Sequence, residues 1–285
     1  MPFVTVGREN SSNIELHYQD YGKGRPIVLI HGYPLSGRAW EKQIPTLLDL
    51  GYRVIAYDRR GFGQSSQPWS GYNYNTFTDD LHKLVTELDL RDFLLMGHSM
   101  GGGEVARYLG KHGSENVTKA VFLAGIPPCL LKSADNPEGV DGKVFDGIRK
   151  AILADRPAFF AKFFADFYNV DKLGGKLISE DDVRADWITA VNAAPQAALD
   201  CVETWGTDFR NDLKQINVPT LIIQGDADRV VPFASSGKRM PALIKGSKLV
   251  VIEGAPHGLA WTHAEQVNRA VADFLGKAAQ TSKVA

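Results

Sequence analysis

Hydrophobic positions recur along this chain with two different periods. Near the N-terminus apolar and polar residues alternate on both sides of a turn-forming stretch at 10–13, which predicts a β-hairpin. Further along, six runs of four or five residues are mostly apolar, as expected of parallel strands that are covered on both faces. These runs span residues 27–30, 53–57, 92–96, 120–123, 220–223 and 249–252.

Stretches with helical periodicity separate these runs. From Phe77 to Leu88, apolar side chains lie three or four positions apart, which is typical of a helix packed on one face. A similar pattern near the C-terminus carries Val267, Val271 and Phe274. Strands that alternate with helices predict an α/β fold with a mostly parallel, doubly wound sheet.

The alternation stops between residues 126 and 205. This stretch has no strand-like run and is rich in aromatic residues at helical spacing, Phe159 and Phe163 among them. We expect a helical cap inserted between two strands of a core that comprises residues 1–125 and 206–276. The small and polar residues 277–285 should fray.

Composition and charge narrow the range of partners. The 285 residues are 44% hydrophobic and 23% charged, as in ordinary globular proteins, and 32 Lys and Arg nearly balance 33 Asp and Glu. This balance argues against nucleic acid or an anionic membrane as a partner. The N-terminus lacks the features of a signal peptide and no apolar run reaches about 18 residues, so a cytoplasmic protein without a membrane span is expected.

The two cysteines, Cys129 and Cys201, have neither metal-binding spacing nor enough partners for a disulfide framework. We expect free or buried thiols. His257 and His263 lie six positions apart, which is not the spacing that places two imidazoles on one helical face. The sequence therefore predicts no metal site.

The candidate chemistry begins at residues 97–101, which read Gly-His-Ser-Met-Gly between a predicted strand and a predicted helix. A G-x-S-x-G motif in this context indicates a nucleophile elbow, in which a sharp turn exposes the serine hydroxyl at the end of the sheet. Ser99 is the predicted nucleophile. His98 adjoins it within the elbow, and we expect a structural role for its ring.

A serine hydroxyl needs a base that accepts its proton. His257 follows the predicted strand 249–252, while Asp226 and Asp228 follow the strand 220–223. In open α/β sheets, sites form at the carboxyl ends of strands, and the order serine, acid, histidine occurs in serine triads. The sequence predicts Ser99 and His257 as partners, with one of the two aspartates as the acid.

The chain resembles the α/β-hydrolase superfamily and, within it, the cofactor-free bacterial haloperoxidase, arylesterase and perhydrolase group. The resemblance extends from about residue 3 to residue 276. It is carried by HGYPLSG at 31–37, YDRRGFGQSS at 57–66, SMGGGE at 99–104, TDFR at 207–210 and GAPHGL at 254–259. It implies an α/β-hydrolase fold, no cofactor, and a homo-oligomer.

The resemblance also implies roles for individual residues. The family pattern of glycine, two residues, aspartate and then proline four positions later selects Asp228 as the acid, and leaves Asp226 as a turn residue. The backbone amides of Tyr33 and Met100 would form the oxyanion hole, with His31 supporting the first of the two loops. In perhydrolases of the group, a proline at the position of Pro34 is associated with the use of hydrogen peroxide.

The remaining predicted contacts concern the substrate. The resemblance implicates Phe159 and Phe163 on the insertion and Val230 and Val231 beside the acid, in addition to Pro34. Such a pocket would bind small apolar acyl or aryl groups by burial.

The sequence therefore predicts a serine hydrolase that cleaves small aryl or alkyl carboxylic esters through an acyl-enzyme, with perhydrolase or haloperoxidase side activity. His98 stands where haloperoxidases of the group often carry Phe, so this motif is closer to general esterases. Haloalkane dehalogenases and epoxide hydrolases use a carboxylate nucleophile, which Ser99 is not. The alternative from another class is a catalytically inactive member of the fold that serves as a ligand receptor or partner-binding module.

Overall fold

In the computed structural model, residues 2–276 are described, and they contain one eight-stranded sheet. Its strands, in chain order, are β1 (Phe3–Glu9), β2 (Ser12–Tyr21), β3 (Pro26–Ile30), β4 (Arg53–Tyr57), β5 (Phe93–His98), β6 (Val117–Leu123), β7 (Thr220–Gly225) and β8 (Lys248–Ile252). The predicted hairpin is β1 and β2, and each of the six predicted apolar runs coincides with one of the strands β3 to β8.

Helices occupy most of the connections between strands. They are α1 (Ile44–Asp49), α2 (Tyr74–Glu87), α3 (Met100–His112), α4 (Gly142–Phe167), α5 (Val170–Leu173), α6 (Glu180–Val191), α7 (Pro195–Thr204), α8 (Arg210–Lys214), α9 (Leu259–Thr262) and α10 (Ala264–Leu275). Short 3₁₀ turns cover Gly37–Trp40, Phe233–Ser235 and Met240–Ala242.

The strands lie in the order β1-β2-β4-β3-β5-β6-β7-β8. β1 and β2 are antiparallel to their neighbours, whereas all pairs from β4 to β8 are parallel. The prediction of a mostly parallel sheet is confirmed. Because the strands are parallel, the loops that follow β3, β5, β7 and β8 emerge at the same edge of the sheet, where sites of open α/β folds form.

Side chains of successive strand residues point to opposite faces, and both faces are covered. In β3, Val28 and Ile30 belong to the apolar layer that also contains side chains of α2 and α3, while Ile27 and Leu29 belong to the layer packed against α10. All four side chains are fully buried. Burial on both faces explains why these strands are continuous apolar runs rather than alternating ones.

Two element boundaries differ from the predicted ones for local reasons. α2 begins at Tyr74 because the side chain of Asn73 caps it, accepting a hydrogen bond of 3.1 Å from the amide of Thr76. β5 begins at Phe93 rather than at Asp92, since Asp92 has a left-handed backbone with φ 50° and ends the preceding turn.

The helices α4 to α7 lie between β6 and β7 in the chain, within the predicted insertion. α4 is kinked at Asp155, whose φ of −159° and ψ of 92° are not helical, two residues before Pro157. Arg156 at the kink donates hydrogen bonds to carbonyl groups at the end of α6. The division into core and cap at 125 and 205 stays a prediction, and the expected fraying of 277–285 lies outside the described residues.

None of the helices described between residues 2 and 276 is long and apolar enough to cross a membrane. Cys129 and Cys201 are both buried and carry free thiols, as expected. Burial raises the pKa of the Cys201 thiol to about 12, so this thiol is protonated at neutral pH.

Candidate active site

Ser99 lies in a strained turn between β5 and α3. Its backbone has φ 55° and ψ −119°, a conformation that L-residues rarely adopt and that is found at functional sites. The flanking glycines make this turn possible. A Cβ atom on Gly97 would lie 2.3 Å from the carbonyl oxygen of Gly101, and one on Gly101 would lie 2.2 Å from that of Ile30.

The three residues predicted as a triad are joined by two hydrogen bonds. Nε2 of His257 lies 2.8 Å from Oγ of Ser99, and Nδ1 of His257 lies 2.7 Å from Oδ2 of Asp228. An ionised carboxylate can only accept, so Nδ1 of a neutral His257 carries the proton and Nε2 is free to accept the serine hydroxyl. The side chains of His257 and Asp228 are fully shielded from solvent.

The loop after β7 fixes the carboxylate of Asp228. Its Oδ1 accepts hydrogen bonds from the amides of Val230 at 2.9 Å and Val231 at 2.8 Å, which leaves Oδ2 facing the imidazole. Asp226 instead accepts a hydrogen bond of 2.7 Å from the amide of Gly254, and so ties this loop to the loop that carries His257. The geometry thus separates the two candidate aspartates.

The two predicted oxyanion donors lie on segments beside Ser99. Met100 is the first residue of α3, and Tyr33 follows Gly32, where a Cβ atom would lie 3.0 Å from Cβ of Ser99. Among residues 2–276, neither of the two backbone amides has a hydrogen-bond acceptor. Both amides can therefore donate to a bound oxyanion.

The Tyr33 side chain is held away from solvent. Its hydroxyl donates a hydrogen bond of 2.9 Å to the carbonyl of Ala198 in α7, and its ring contacts those of Phe163 and Trp205. Burial raises the pKa of this phenol well above its usual value, so the hydroxyl stays protonated and remains a donor.

His98 packs against His257 rather than against the hydroxyl of Ser99. Its Nε2 lies 3.1 Å from the carbonyl oxygen of His257 and donates to it. Burial, with a smaller contribution from the neighbouring His257, lowers the pKa of His98 to about 3. The ring is thus neutral at all physiological pH values, which suits a structural role.

A cavity of about 400 Å³ opens above Ser99. Tyr33, Phe159, Phe163, Val230 and Val231, all predicted as site residues, line it. Pro34 is buried and is not among the residues that line the cavity. A direct contact of Pro34 with substrate stays a prediction.

Part of the cavity wall was not identified from the sequence. The first half of α4 contributes Phe145 and Ile148, and Trp205 follows α7. The spacing of three positions between Phe145 and Ile148 is a helical signal that is visible in the sequence. It does not indicate which cavity the helix covers. Charged side chains occur in the lining at Lys162, Asp166 and Arg229, and the remaining surface is mainly apolar.

A buried ion pair beneath the elbow was not predicted from the sequence. Nε of Arg59 donates a hydrogen bond of 2.8 Å to Oε2 of Glu104, and both side chains are almost completely buried. The Tyr57 hydroxyl donates to the other oxygen of this carboxylate. A glutamate on the buried face of α3, next to three consecutive glycines, was the signal that could have identified it.

No group of three or more His, Cys, Asp or Glu side chains within the described chain is arranged to hold a metal ion.

Comparisons with known proteins agree with this architecture. The family model of the α/β-hydrolase fold matches residues 25–264. A Synechocystis sp. protein with the provisional name non-heme chloroperoxidase is 60% identical over 275 residues, 96% of this chain and 100% of that protein. The bifunctional esterase/perhydrolase DCH of Acinetobacter calcoaceticus is 36% identical over 96% of this chain and 99% of its own length.

One solved structure resembles this protein over almost its whole length. The crystal structure of bromoperoxidase from Bacillus anthracis superposes with a TM-score of 0.93 and 47% sequence identity, and covers 96% of this chain and 99% of that one. The chain therefore belongs to the α/β-hydrolase family and, within it, to the group that contains the bacterial non-haem haloperoxidases and esterase/perhydrolases.

Proposed function

We propose that this protein is a serine esterase that cleaves small carboxylic esters through an acyl-enzyme and that can pass the acyl group to hydrogen peroxide as well as to water. One observation carries the proposal: the hydrogen-bonded series Ser99, His257, Asp228 ends in a serine hydroxyl that faces an apolar cavity. The names of the relatives, chloroperoxidase and esterase/perhydrolase, support the same chemistry.

Acylation uses the hydrogen bonds already described. Oγ of Ser99 attacks the ester carbonyl carbon while its proton moves to Nε2 of His257. The negative charge on the carbonyl oxygen is stabilised by the amides of Tyr33 and Met100, and Asp228 stabilises the positive imidazolium. The carbon–oxygen bond to the alcohol then breaks, and His257 gives its proton to the departing oxygen.

Deacylation repeats these steps with a different nucleophile. His257 takes a proton from water or from hydrogen peroxide, whose oxygen attacks the acyl carbon, and the bond to Ser99 breaks as Oγ recovers the proton. Water yields the carboxylic acid, and hydrogen peroxide yields the peracid. A peracid released into solution can oxidise halide ions, which connects ester chemistry with the name chloroperoxidase without a metal.

The cavity favours small uncharged acyl or aryl groups. Phe159, Phe163 and Val231 contribute apolar surface close to Ser99, and burial of such groups stabilises binding by roughly 25 cal/mol per Å² of apolar surface. Of the charged side chains in the lining, Arg229 pairs with Asp171 at 2.7 Å.

The test is the initial rate of p-nitrophenyl acetate hydrolysis by the wild-type protein and by Ser99→Ala, with and without hydrogen peroxide. We expect the rate to fall by three or more orders of magnitude in the variant, as roughly 10⁴–10⁶-fold losses follow removal of a triad member elsewhere. Peracid formation that depends on both Ser99 and peroxide would support the perhydrolase part of the proposal.

Reaction with a serine-directed fluorophosphonate separates an enzyme from an inactive receptor of the same fold. Labelling of the wild type but not of Ser99→Ala indicates an activated serine even if p-nitrophenyl acetate is a poor substrate. Absence of labelling in both proteins, with a folded circular dichroism spectrum, would instead favour the receptor.

Self-association into a homo-oligomer and a cytoplasmic location also stay proposals. Light scattering after gel filtration can test the first of them.

A further inference from the structure

The turn after α4 contacts both loops that carry catalytic side chains. It consists of Phe167, Tyr168 and Asn169, the last residue of α4 and the two that follow. The loop after β7 carries Asp228, and the loop after β8 carries His257. A single segment of the insertion is thus placed to hold the acid and the base relative to each other.

On the histidine side the contacts are made by backbone and rings. The amide of Gly258 donates a hydrogen bond of 2.8 Å to the carbonyl of Phe167, and the Phe167 ring lies edge-on to His257 with centroids 5.0 Å apart. Tyr168 packs so closely on Gly258 that a Cβ atom there would lie 2.3 Å from the ring.

On the acid side the contact is a buried side chain. Nδ2 of Asn169 donates a hydrogen bond of 2.9 Å to the carbonyl oxygen of Ala227, the residue before Asp228. Asn169 is 1% exposed and has a left-handed backbone with φ 49°, which asparagine and glycine tolerate better than other residues. Its Oδ1 is buried without a partner among the described residues, so the donated bond is the polar interaction that this side chain provides.

The loop after β7, called the acid loop because it carries Asp228, also contacts other parts of the protein. The amide of Ala227 donates to the carbonyl of Ala255 at 3.2 Å, and Asp226 accepts from Gly254, so both connect the acid loop to the histidine loop. Arg229 pairs with Asp171 at the surface, where solvent screens the interaction. Among residues 2–276, the buried side-chain hydrogen bond from the insertion to this loop is the one that Asn169 donates.

We propose that Asn169 is a positioning residue, whose hydrogen bond to Ala227 holds the loop of Asp228 at hydrogen-bonding distance from His257. The expected effect on turnover rests on the proposed esterase function. The hydrogen bond itself does not depend on which substrate the enzyme uses. Small displacements of a catalytic group have large effects on rate, so a tie one residue away from Asp228 is placed to affect turnover.

Two substitutions separate the hydrogen bond from the space that the side chain fills. Asn169→Gly removes the donor while keeping a residue suited to the left-handed backbone. Asn169→Asp keeps the size but places a carboxylate oxygen against the Ala227 carbonyl. Trp187→Phe is the matched control, because it removes another side-chain hydrogen bond within the insertion, from Nε1 to the carbonyl of Pro157 at 2.9 Å, away from both loops.

We expect kcat for p-nitrophenyl acetate to fall about 5- to 10-fold in Asn169→Gly, as for the loss of one hydrogen bond, and at least as far in Asn169→Asp. KM should change less than twofold, and Trp187→Phe should retain the wild-type kcat. In an Asp228→Asn background, Asn169→Gly should cause no further loss, since the two substitutions remove the same function.

A proton NMR measurement reports on the same contact without substrate. The Nδ1 proton shared between His257 and Asp228 gives a strongly downfield resonance, which Asp228→Asn should abolish and so assign. We expect this resonance to broaden or disappear in both Asn169 variants and to persist in Trp187→Phe. If the wild type shows the resonance but no Ser99-dependent esterase activity, the proposed function has failed while the positioning role is still measured.

Three results would overturn the proposal. They are an unchanged resonance in a folded Asn169→Gly protein, an Asn169→Asp protein with wild-type kcat, and an equal loss of kcat in Trp187→Phe. The last result would assign the effect to loosening of the whole insertion rather than to the contact with Ala227.

Discussion

The main-chain amide of Arg59 donates a hydrogen bond of 2.9 Å to Nε2 of His31. Nδ1 of the same ring lies 2.8 Å from the carbonyl oxygen of Gly32 and must donate to it, so the imidazole is neutral. Burial, together with the Arg59 guanidinium, lowers the pKa of His31 well below its usual value. The ring thereby fixes the segment that carries the amide of Tyr33.

Replacing His31 should weaken the proposed oxyanion hole without altering the triad. We expect His31→Ala to lower kcat/KM for p-nitrophenyl acetate about 10- to 100-fold. Removing an oxyanion donor outright costs roughly 10²- to 10³-fold, and His31→Ala would only loosen the loop that carries one. His82→Ala, an exposed histidine on α2, is the control. A wild-type rate in His31→Ala would mean that the loop keeps its position without the ring.

The buried pair of Arg59 and Glu104 should matter for stability. Glu104→Ala leaves a buried guanidinium without its counter-charge, and we expect the free energy of unfolding to fall by about 3–5 kcal/mol. Asp20→Ala breaks the partly exposed pair with Arg53 and should cost about 1 kcal/mol or less. Urea unfolding followed by circular dichroism measures both, and equal losses in the two variants would contradict the expectation.

Asp186 should make stability depend on pH. Burial raises its pKa from 3.8 to about 6, although the Tyr168 hydroxyl donates to it and Arg38 opposes the shift. The folded protein therefore binds this proton more tightly than the unfolded chain, and stability falls as pH rises from about 4 to about 6. Above about pH 6 the Asp186 carboxylate is charged in the folded protein too, and its burial lowers the free energy of unfolding.

Asp186→Asn removes this titration and keeps an acceptor for Tyr168. We expect the free energy of unfolding of the variant, relative to the wild type, to rise by about 2 kcal/mol between pH 4 and pH 7, since partial exposure reduces the full value of the shift. Asp181→Asn, at an exposed position of the same helix, should show no such trend. A difference between Asp186→Asn and the wild type that does not vary with pH would contradict the assignment.

Phe163 should limit the length of the acyl group. Its ring lines the cavity of about 400 Å³ and contacts Tyr33 with centroids 6.0 Å apart. We expect Phe163→Ala to lower kcat/KM for p-nitrophenyl acetate and to shift the preference toward hexanoate or octanoate by about tenfold, or about 1.4 kcal/mol. Leu153→Ala, at a position of α4 that is 69% exposed and outside the cavity, should leave the acyl preference unchanged.

Much of the fold could be predicted because local pattern and tertiary burial agree. The β3 and β4 strands are apolar on both faces and end in turns, and the structure buries both faces. The elbow could also be predicted, since the close approach around Ser99 excludes side chains at positions 97 and 101. Each of these features requires particular residues at fixed spacing, and such requirements are visible in a single sequence.

Other features depend on contacts between distant segments. The sequence by itself determined the strands, the elbow and the order of Ser99, Asp228 and His257, because turn chemistry and periodicity are local. The family resemblance had already favoured Asp228 over Asp226, and the tertiary structure shows Oδ2 of Asp228 facing the imidazole. Only the tertiary structure decided that Asn169 reaches Ala227 across 58 positions of the chain. No spacing rule encodes a hydrogen bond between residues that only the folding of the insertion onto the core brings together.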